Sequence, residues 1–335
     1  MISRRKRKHS GSSASTTAKT QKCTTRRRSF TNTQPEPDYT MFSQVELVKY
    51  YIRTGDLAKG DEEYNRLVTE FAENQWLPSS ICFIGDTYLR AGDTNLASLL
   101  YNKVAATWPD DPQTIYAKAG LAKVAAQLGK DSEVNKIIDE IRNDYAGNPD
   151  VASSIFGVGE HYWKLALAEN KKIAKADDSQ PDFSIRNAYF SSAHTILELV
   201  VSEFPSSSVT PEAAYFAAEA SRCLGLNQEA AVAYQKVVDT WPDFKFARVA
   251  QNKVIKIYKK FLIDGSMPRV EARKEITKGY ENMIEKFPDS ASAERARRNL
   301  VYVTDKEEPE ISVENMSMQE IDNYLQKRDN EGGSK

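Results

Sequence analysis

The segment that begins at Tyr234 and closes on Trp241-Pro242-Asp243 recurs along the chain, and this recurrence constrains the fold more than any other sequence feature. The pairs Tyr64 and Phe71, Tyr101 and Trp108, Ile138 and Tyr145, Leu197 and Phe204, and Tyr280 and Phe287 keep the same spacing of seven from a bulky residue to a closing aromatic. The closing aromatics stand at 71, 108, 145, 204, 241 and 287, at intervals of 37, 37, 59, 37 and 46. Three intervals are identical, and the other two are that unit extended by 22 and by 9 residues. A glycine lies 16 residues ahead of four of these aromatics, at Gly55, Gly92, Gly129 and Gly225. Two markers in fixed register at this period predict a repeated helix–turn–helix unit whose hairpins must stack to bury their apolar sides.

With 335 residues, 40% of them hydrophobic, the chain has room for one to three domains and a large core. Charge is unevenly spread: residues 1–40 hold ten Lys/Arg against two acids, and the remainder 36 basic against 45 acidic residues. Cys23, Cys82 and Cys223 are too far apart for a disulfide framework or metal-ligand spacing. No apolar run approaches the roughly 20 residues of a membrane helix, and Ser/Thr rather than an apolar block follows the basic start. The expectation is a cytoplasmic protein; the alternative is a periplasmic or cell-envelope one, should the true start lie elsewhere.

Residues 1–38 combine the basic clusters 4–8 and 26–28 with a Ser/Thr linker, which predicts a disordered tail. Such clusters offer nucleic acid, anionic lipid or an import receptor an electrostatic contact; the plain reading is a solvated tail. From Phe42 a helical period sets in, with Phe42, Val45, Val48 and Ile52 on one face, a turn at Thr54-Gly55-Asp56, and Tyr64, Leu67, Val68 and Phe71 on the next helix. Pro78 opens a helix with Ile81, Ile84, Tyr88 and Leu89 on its apolar face, and Asp111-Pro112, Asn148-Pro149 and Thr210-Pro211 repeat the punctuation with a capping side chain before each proline.

Within one unit, Gly85, Tyr88, Ala97, Tyr101 and Pro109 fall at the small, aromatic, small, aromatic and proline offsets of the tetratricopeptide repeat, which the chain resembles over residues 41–303. Partial matches follow: Gly159, Tyr162, Ala193 and Pro205; Ala218, Ala230, Tyr234 and Pro242; Tyr258, Tyr280 and Pro288. The aromatic-Pro-Asp ending with small residues after it, as in Phe287-Pro288-Asp289-Ser290-Ala291, is similar to repeats of bacterial envelope-assembly lipoproteins and cell-division coordinators. The resemblance implies an all-α, right-handed solenoid of about six helical hairpins over residues 39–303, closed by a capping helix over 290–303. It also implies a protein-binding scaffold or assembly factor without enzymatic activity.

Two insertions interrupt the period. The extra 22 residues between Gly159 and Ala193 predict a first helix running on from Val151 to about Ala176, with a polar extension and a loop at Ser179-Gln180-Pro181. The 9 extra residues of unit six predict a longer turn between its helices, from Phe261 to Pro268. Residues 304–335 read as an acidic tail with a short helix over 318–328, announced by Ser317 and Glu320 in a capping-box pattern.

Sites of chemistry are scarce. His9, His161 and His194 form no metal-binding pattern, and no phosphate loop or nucleophile elbow occurs, so no metal, cofactor, small-molecule substrate or catalytic residue is expected. His161 reads as a surface or packing histidine, and Cys82 and Cys223 as small buried or groove-lining groups. In the resembled family the first helices line a concave groove for peptides, which implies a partner-binding set of Tyr116, Lys123, Phe156, Glu160, Trp163, Lys164, Tyr215, Glu219, Arg222, Asn252, Lys256 and Lys259. Aromatics flanked by both signs of charge suit peptide anchoring, although Phe156 and Trp163, seven apart, also suit helix packing. The alternative function is contact with nucleic acid through residues 4–8 and 26–28.

Overall fold

The computed structural model describes residues 37–176 and 180–304, so residues 1–36 and 305–335, and with them most of the expected basic tail and the expected helix over 318–328, lie outside the described residues. Among the described residues the chain is an all-α solenoid. Its first three hairpins are α1 (Pro37–Thr54) with α2 (Leu57–Glu70), α3 (Leu77–Ala91) with α4 (Thr94–Thr107), and α5 (Thr114–Gln127) with α6 (Asp131–Asp144). They are followed by α7 (Val151–Ala176) with α8 (Ser184–Glu203), α9 (Thr210–Cys223) with α10 (Asn227–Thr240), α11 (Ala247–Asp264) with α12 (Arg269–Lys286), and the closing α13 (Ala291–Thr304).

Local chemistry sets the helix ends. Gly55, Gly92, Gly129 and Gly225, with φ between 70° and 91°, end first helices in the left-handed conformation that a side chain strains, which is why the glycine marker keeps its register. Side-chain caps start second helices: the Asp93 carboxylate accepts from the Leu96 amide at 2.9 Å, and Asp56 does the same for Lys59. The expected caps before prolines take another form. Asp111 and Asn148 accept from the amides two residues on, Gln113 at 2.7 Å and Asp150 at 2.8 Å, closing turns ahead of α5 and α7; the Thr210 hydroxyl donates backward to the Phe204 carbonyl.

Two further expectations are corrected. On α1 it is Met41, fully buried, that continues the Val45, Val48 and Ile52 stripe, while Phe42 is 43% exposed; the spacing 41, 45, 48, 52 follows the helix period more closely. In hairpin six the extra residues lengthen both helices to 18 residues each, leaving only 265–268 as the turn, with Gly265 at φ 71°. Phe261 is buried on the last turn of α11, which keeps 261–264 helical, and Met267 is buried within the short turn itself.

The core runs through the stack in three overlapping sections. Tyr116 packs against the first two and Phe216 against the last two. First helices of successive hairpins pack directly on one another, α1 on α3, α3 on α5, α5 on α7 and α7 on α9, with no comparable packing between successive second helices among the described residues. From α1 to α9 the layer of first helices is therefore the tighter one, and this part of the stack curves with these helices inside.

Tyr101, on α4, shows how that tightness is achieved. Its fully buried ring lies between α3 and α5, where a Cβ built on Gly85 would sit 2.7 Å from the ring and one on Gly120 only 2.3 Å away. The glycines thus make room for an aromatic ring between the helices. Gly157, one period after Gly120, meets nothing nearer than the Lys123 side chain at 3.6 Å. Gly120→Ala should lower stability by about 1–3 kcal/mol through overpacking, whereas Gly157→Ala should be neutral or stabilise by up to about 1 kcal/mol through helix propensity. Urea unfolding of the two variants checks this, and equal effects would contradict it.

Candidate functional site

The inward-facing layer exposes only narrow stripes. On α3 nearly every residue is buried, and the stripe that reaches solvent is Phe83, Asp86 and Arg90, three to four apart. Phe83 is 45% exposed and lies 6.2 Å from the Tyr116 ring of α5. Tyr116 is half-buried, and burial, then a hydrogen bond to Asp150, push its phenol up to about 12. Asp86 accepts from the Tyr101 hydroxyl at 2.8 Å and from Lys123 Nζ at 3.2 Å. One carboxylate therefore ties α3 to its own second helix and to the next first helix, and Lys123 runs on across Gly157 of α7. The result is a continuous floor from α3 to α7 in which small residues, rings and a paired charge alternate.

The expected partner-binding residues divide into three environments. Glu160 and Lys164 form an i,i+4 pair at 2.7 Å on the accessible side of α7, where Lys164 is 61% exposed. Phe156 is half-buried, 6.5 Å from Phe216, and Trp163 is wedged at 5.1 Å from Phe190 and 5.5 Å from Phe216. Trp163 thus spends much of its surface joining α7, α8 and α9, which is the helix-packing role its spacing allowed.

Tyr215 and Glu219 lie deeper than their register implies. Phe244 and Phe246, from the connector ahead of α11, stack on Tyr215 at 6.3 and 5.1 Å, leaving it 8% exposed. Glu219, 6% exposed, accepts from the Tyr215 hydroxyl at 3.2 Å and from Arg222 at 2.8 Å, and pairs with Lys253 of α11. Burial works to raise its carboxyl, but the contacts from Lys253 and Arg222 outweigh that and hold it below the usual range. Asn252 donates to Ser292 at 3.2 Å, facing the closing helix, and Lys259 lies over the Tyr280 ring at 5.7 Å, while Lys256 is exposed. The structure brings Tyr116, Lys123, Phe156, Glu160 and Lys164 onto one face, with Trp163 wedged beneath it, and sets the α11 residues at the end of the stack.

Sequence reasoning missed Phe83, Asp86 and Lys253. A signal for one of them was present in the 37-residue period, since Asp86 stands one period before Lys123. His194 and Ser221 also come together, at 3.4 Å between α8 and α9. Nδ1 of His194 is already 3.2 Å from the Ala217 carbonyl, an obligate acceptor, so the proton sits on that nitrogen and the ring cannot take one from the serine there. Ser221 is 2% exposed, and the pair joins helices. Among the described residues no group of three His, Cys, Asp or Glu is placed to hold a metal ion, and no helix is long and apolar enough to cross a membrane.

Two solved structures are similar to this architecture. One is TTC0263, a thermophilic TPR protein of Thermus thermophilus, with 14% identity and a TM-score of 0.32 over 68% of this chain and 98% of that chain. The other is a tetratricopeptide repeat protein from Parabacteroides merdae, with 14% identity and a TM-score of 0.27 over 80% of this chain and 100% of that one. No family model and no curated protein matches the chain.

His161 lies behind this face with its Nε2 buried and lacking a hydrogen-bond partner among the described residues. Burial first, then the Lys123 charge, lower its imidazole to about 4 from an ordinary 6.5, with Asp86 opposing. The unfolded chain therefore takes up this proton first: stability is intact above about pH 6.5 and falls as pH drops towards 4, by at most roughly 3 kcal/mol. His161→Gln should flatten that part of the stability profile in urea titrations across the same pH interval, and an unchanged slope would assign the acid sensitivity to other groups.

Proposed function

We propose that the solenoid, over residues 39–303, is a non-enzymatic interaction scaffold that holds an extended or helical segment of a partner protein along the face of α3, α5, α7 and α9, with the outlying segments 1–38 and 304–335 flanking it. The observation that carries this reading is the exposed Phe83 ring beside Tyr116, set on a floor otherwise closed by packing and continuing past Lys123 and Gly157 to Glu160, Phe156 and Lys164. An accessible ring in a rigid surround offers contact area with little side-chain ordering to oppose binding. Lys164 and Glu160 give the rim both signs of charge, which orients a segment along the face. Tyr215 and Glu219 act beneath this face by keeping α9 and α11 in register, with Arg222 holding the Glu219 carboxylate from within α9, and Trp163 joins α7 to α9.

The test is capture of partners by the full chain from its native host, compared with Phe83→Asp and Lys164→Glu, whose side chains are exposed and whose replacement leaves the core intact. Phe83→Asp should weaken capture of a direct partner at least tenfold, the equivalent of about 1.4 kcal/mol, and a partner segment should protect α3, α5 and α7 from amide exchange. Undiminished capture by both variants at unchanged helicity, or protection confined to α4, α6 and α8, would overturn the assignment.

A further inference from the structure

Charge is segregated along the stack. Residues 41–244 hold 29 acidic and 18 basic residues, whereas 245–304, covering α11 to α13, hold 7 acidic and 14 basic ones. Earlier cations in the stack pair across helices: Lys118 with Glu140 and Asp144, Lys123 with Asp86, and Arg142 with Glu203. In the last hairpin Lys256, Lys260, Arg269, Lys274 and Lys278 are exposed and make no ion pair among the described residues. Asp264, close to Lys260, and Glu271 and Glu275 on α12 offset only part of this charge, and the remaining cations repel one another unless a further anion is brought to them.

The path of the chain ends the described residues beside them. Asn299 of α13 donates to the Tyr280 hydroxyl of α12 at 3.2 Å, and Lys259 of α11 lies over the same ring, so three helices meet at Tyr280. Consecutive helices joined by the short connector 287–290 run antiparallel. The five residues from Asn299 to the end of α13 therefore advance roughly 7–8 Å towards the start of α12, and Thr304 ends at about the level of Lys274 and Glu275. The next six residues are Asp305, Lys306, Glu307, Glu308, Pro309 and Glu310, four acids against one base, and residues 305–335 together hold nine acids against four bases.

We propose that the acidic segment that follows α13 is the intramolecular occupant of the basic corner formed by the end of α11 and the start of α12. The attachment point holds the first carboxylates at an effective concentration on the order of millimolar, and electrostatic attraction in water supplies the rest. A partner that uses this corner must itself be acidic and must displace the segment. This corner lies apart from the Phe83 face, and its occupancy stands whether or not that face binds peptide.

Carbodiimide cross-linking of the full chain, which joins carboxylates directly to lysine amines, tests the proposal on an equal mixture of unlabelled and nitrogen-15-labelled protein. Links from Asp305, Glu307, Glu308 and Glu310 should fall on Lys256, Lys259, Lys260 and Lys274 and be isotopically unmixed. They should diminish roughly fivefold in about 1 M salt, where the Debye length shrinks to about 3 Å. In a variant with Glu307→Gln, Glu308→Gln and Glu310→Gln, remaining links from Asp305 should drop by a similar factor at unchanged helicity. Links spread over lysines of α1 to α10, isotopically mixed links showing a second copy as the occupant, or links indifferent to salt would each overturn it.

Discussion

The stack depends on a large side chain of one helix seated against a small residue of its neighbour. Tyr101 shows it most fully, with a glycine on both sides of its ring and a hydroxyl that donates to Asp86. Burial and the neighbouring Asp86 charge push its phenol up, so the ring stays neutral and the hydroxyl stays a donor. Hairpin four uses Leu197 in the same position against Gly159, where an added Cβ would come within 2.9 Å. Hairpin six inverts the pairing: Ile255 is the large partner on the first helix, and Gly279 opposes it on the second at 2.8 Å. The requirement is one large and one small partner, and which helix supplies which is free to change.

Charged pairs extend the same logic between hairpins. Asp86 with Lys123 and Glu219 with Lys253 each join consecutive first helices, and Glu219 is nearly fully buried. A carboxylate removed from water gains little net stability from its partner, but a lone one is strongly unfavourable, so such pairs penalise misregistered stacking more than they strengthen the correct one. The direct packing of first helices ends at α9; at the next junction α11 packs on α10, and the buried Glu219 with Lys253 and the rings of Phe244 and Phe246 around Tyr215 tie it to α9.

Much of this architecture was legible in the chain, because a repeated module writes its small, aromatic and glycine positions in fixed register. The first helix from Val151 to Ala176 followed from the 59-residue interval, since its pattern continued without a breaker. The 46-residue interval misled only over 261–264: Gly265, Ser266 and Pro268 do mark the turn, while the burial of Phe261 that keeps the preceding residues helical is a tertiary effect. The candidate face was legible only as a face. Periodicity assigns Tyr215 and Glu219 to the same side as Phe156 and Glu160 but carries no information on depth, and the connector rings that cover Tyr215 come from outside any helix. Phe83 went unnoticed for the converse reason, since an apolar residue in an apolar helix gives no sign that it is the one left uncovered.

The unequal spacing of the two helix layers has a mechanical consequence. Between α10 and α12 the outer layer leaves a cleft of about 420 Å³, lined by Val232, Lys236, Thr240, Tyr258 and Lys278 among others, while the inner helices up to α9 touch. From α1 to α9 the stack behaves like a leaf spring with its stiff side inward: bending that shifts the second helices disturbs few contacts, whereas stretching the inner layer would pull rings out of their slots. Its curvature is therefore the softest mechanical coordinate, and its contour length the hardest.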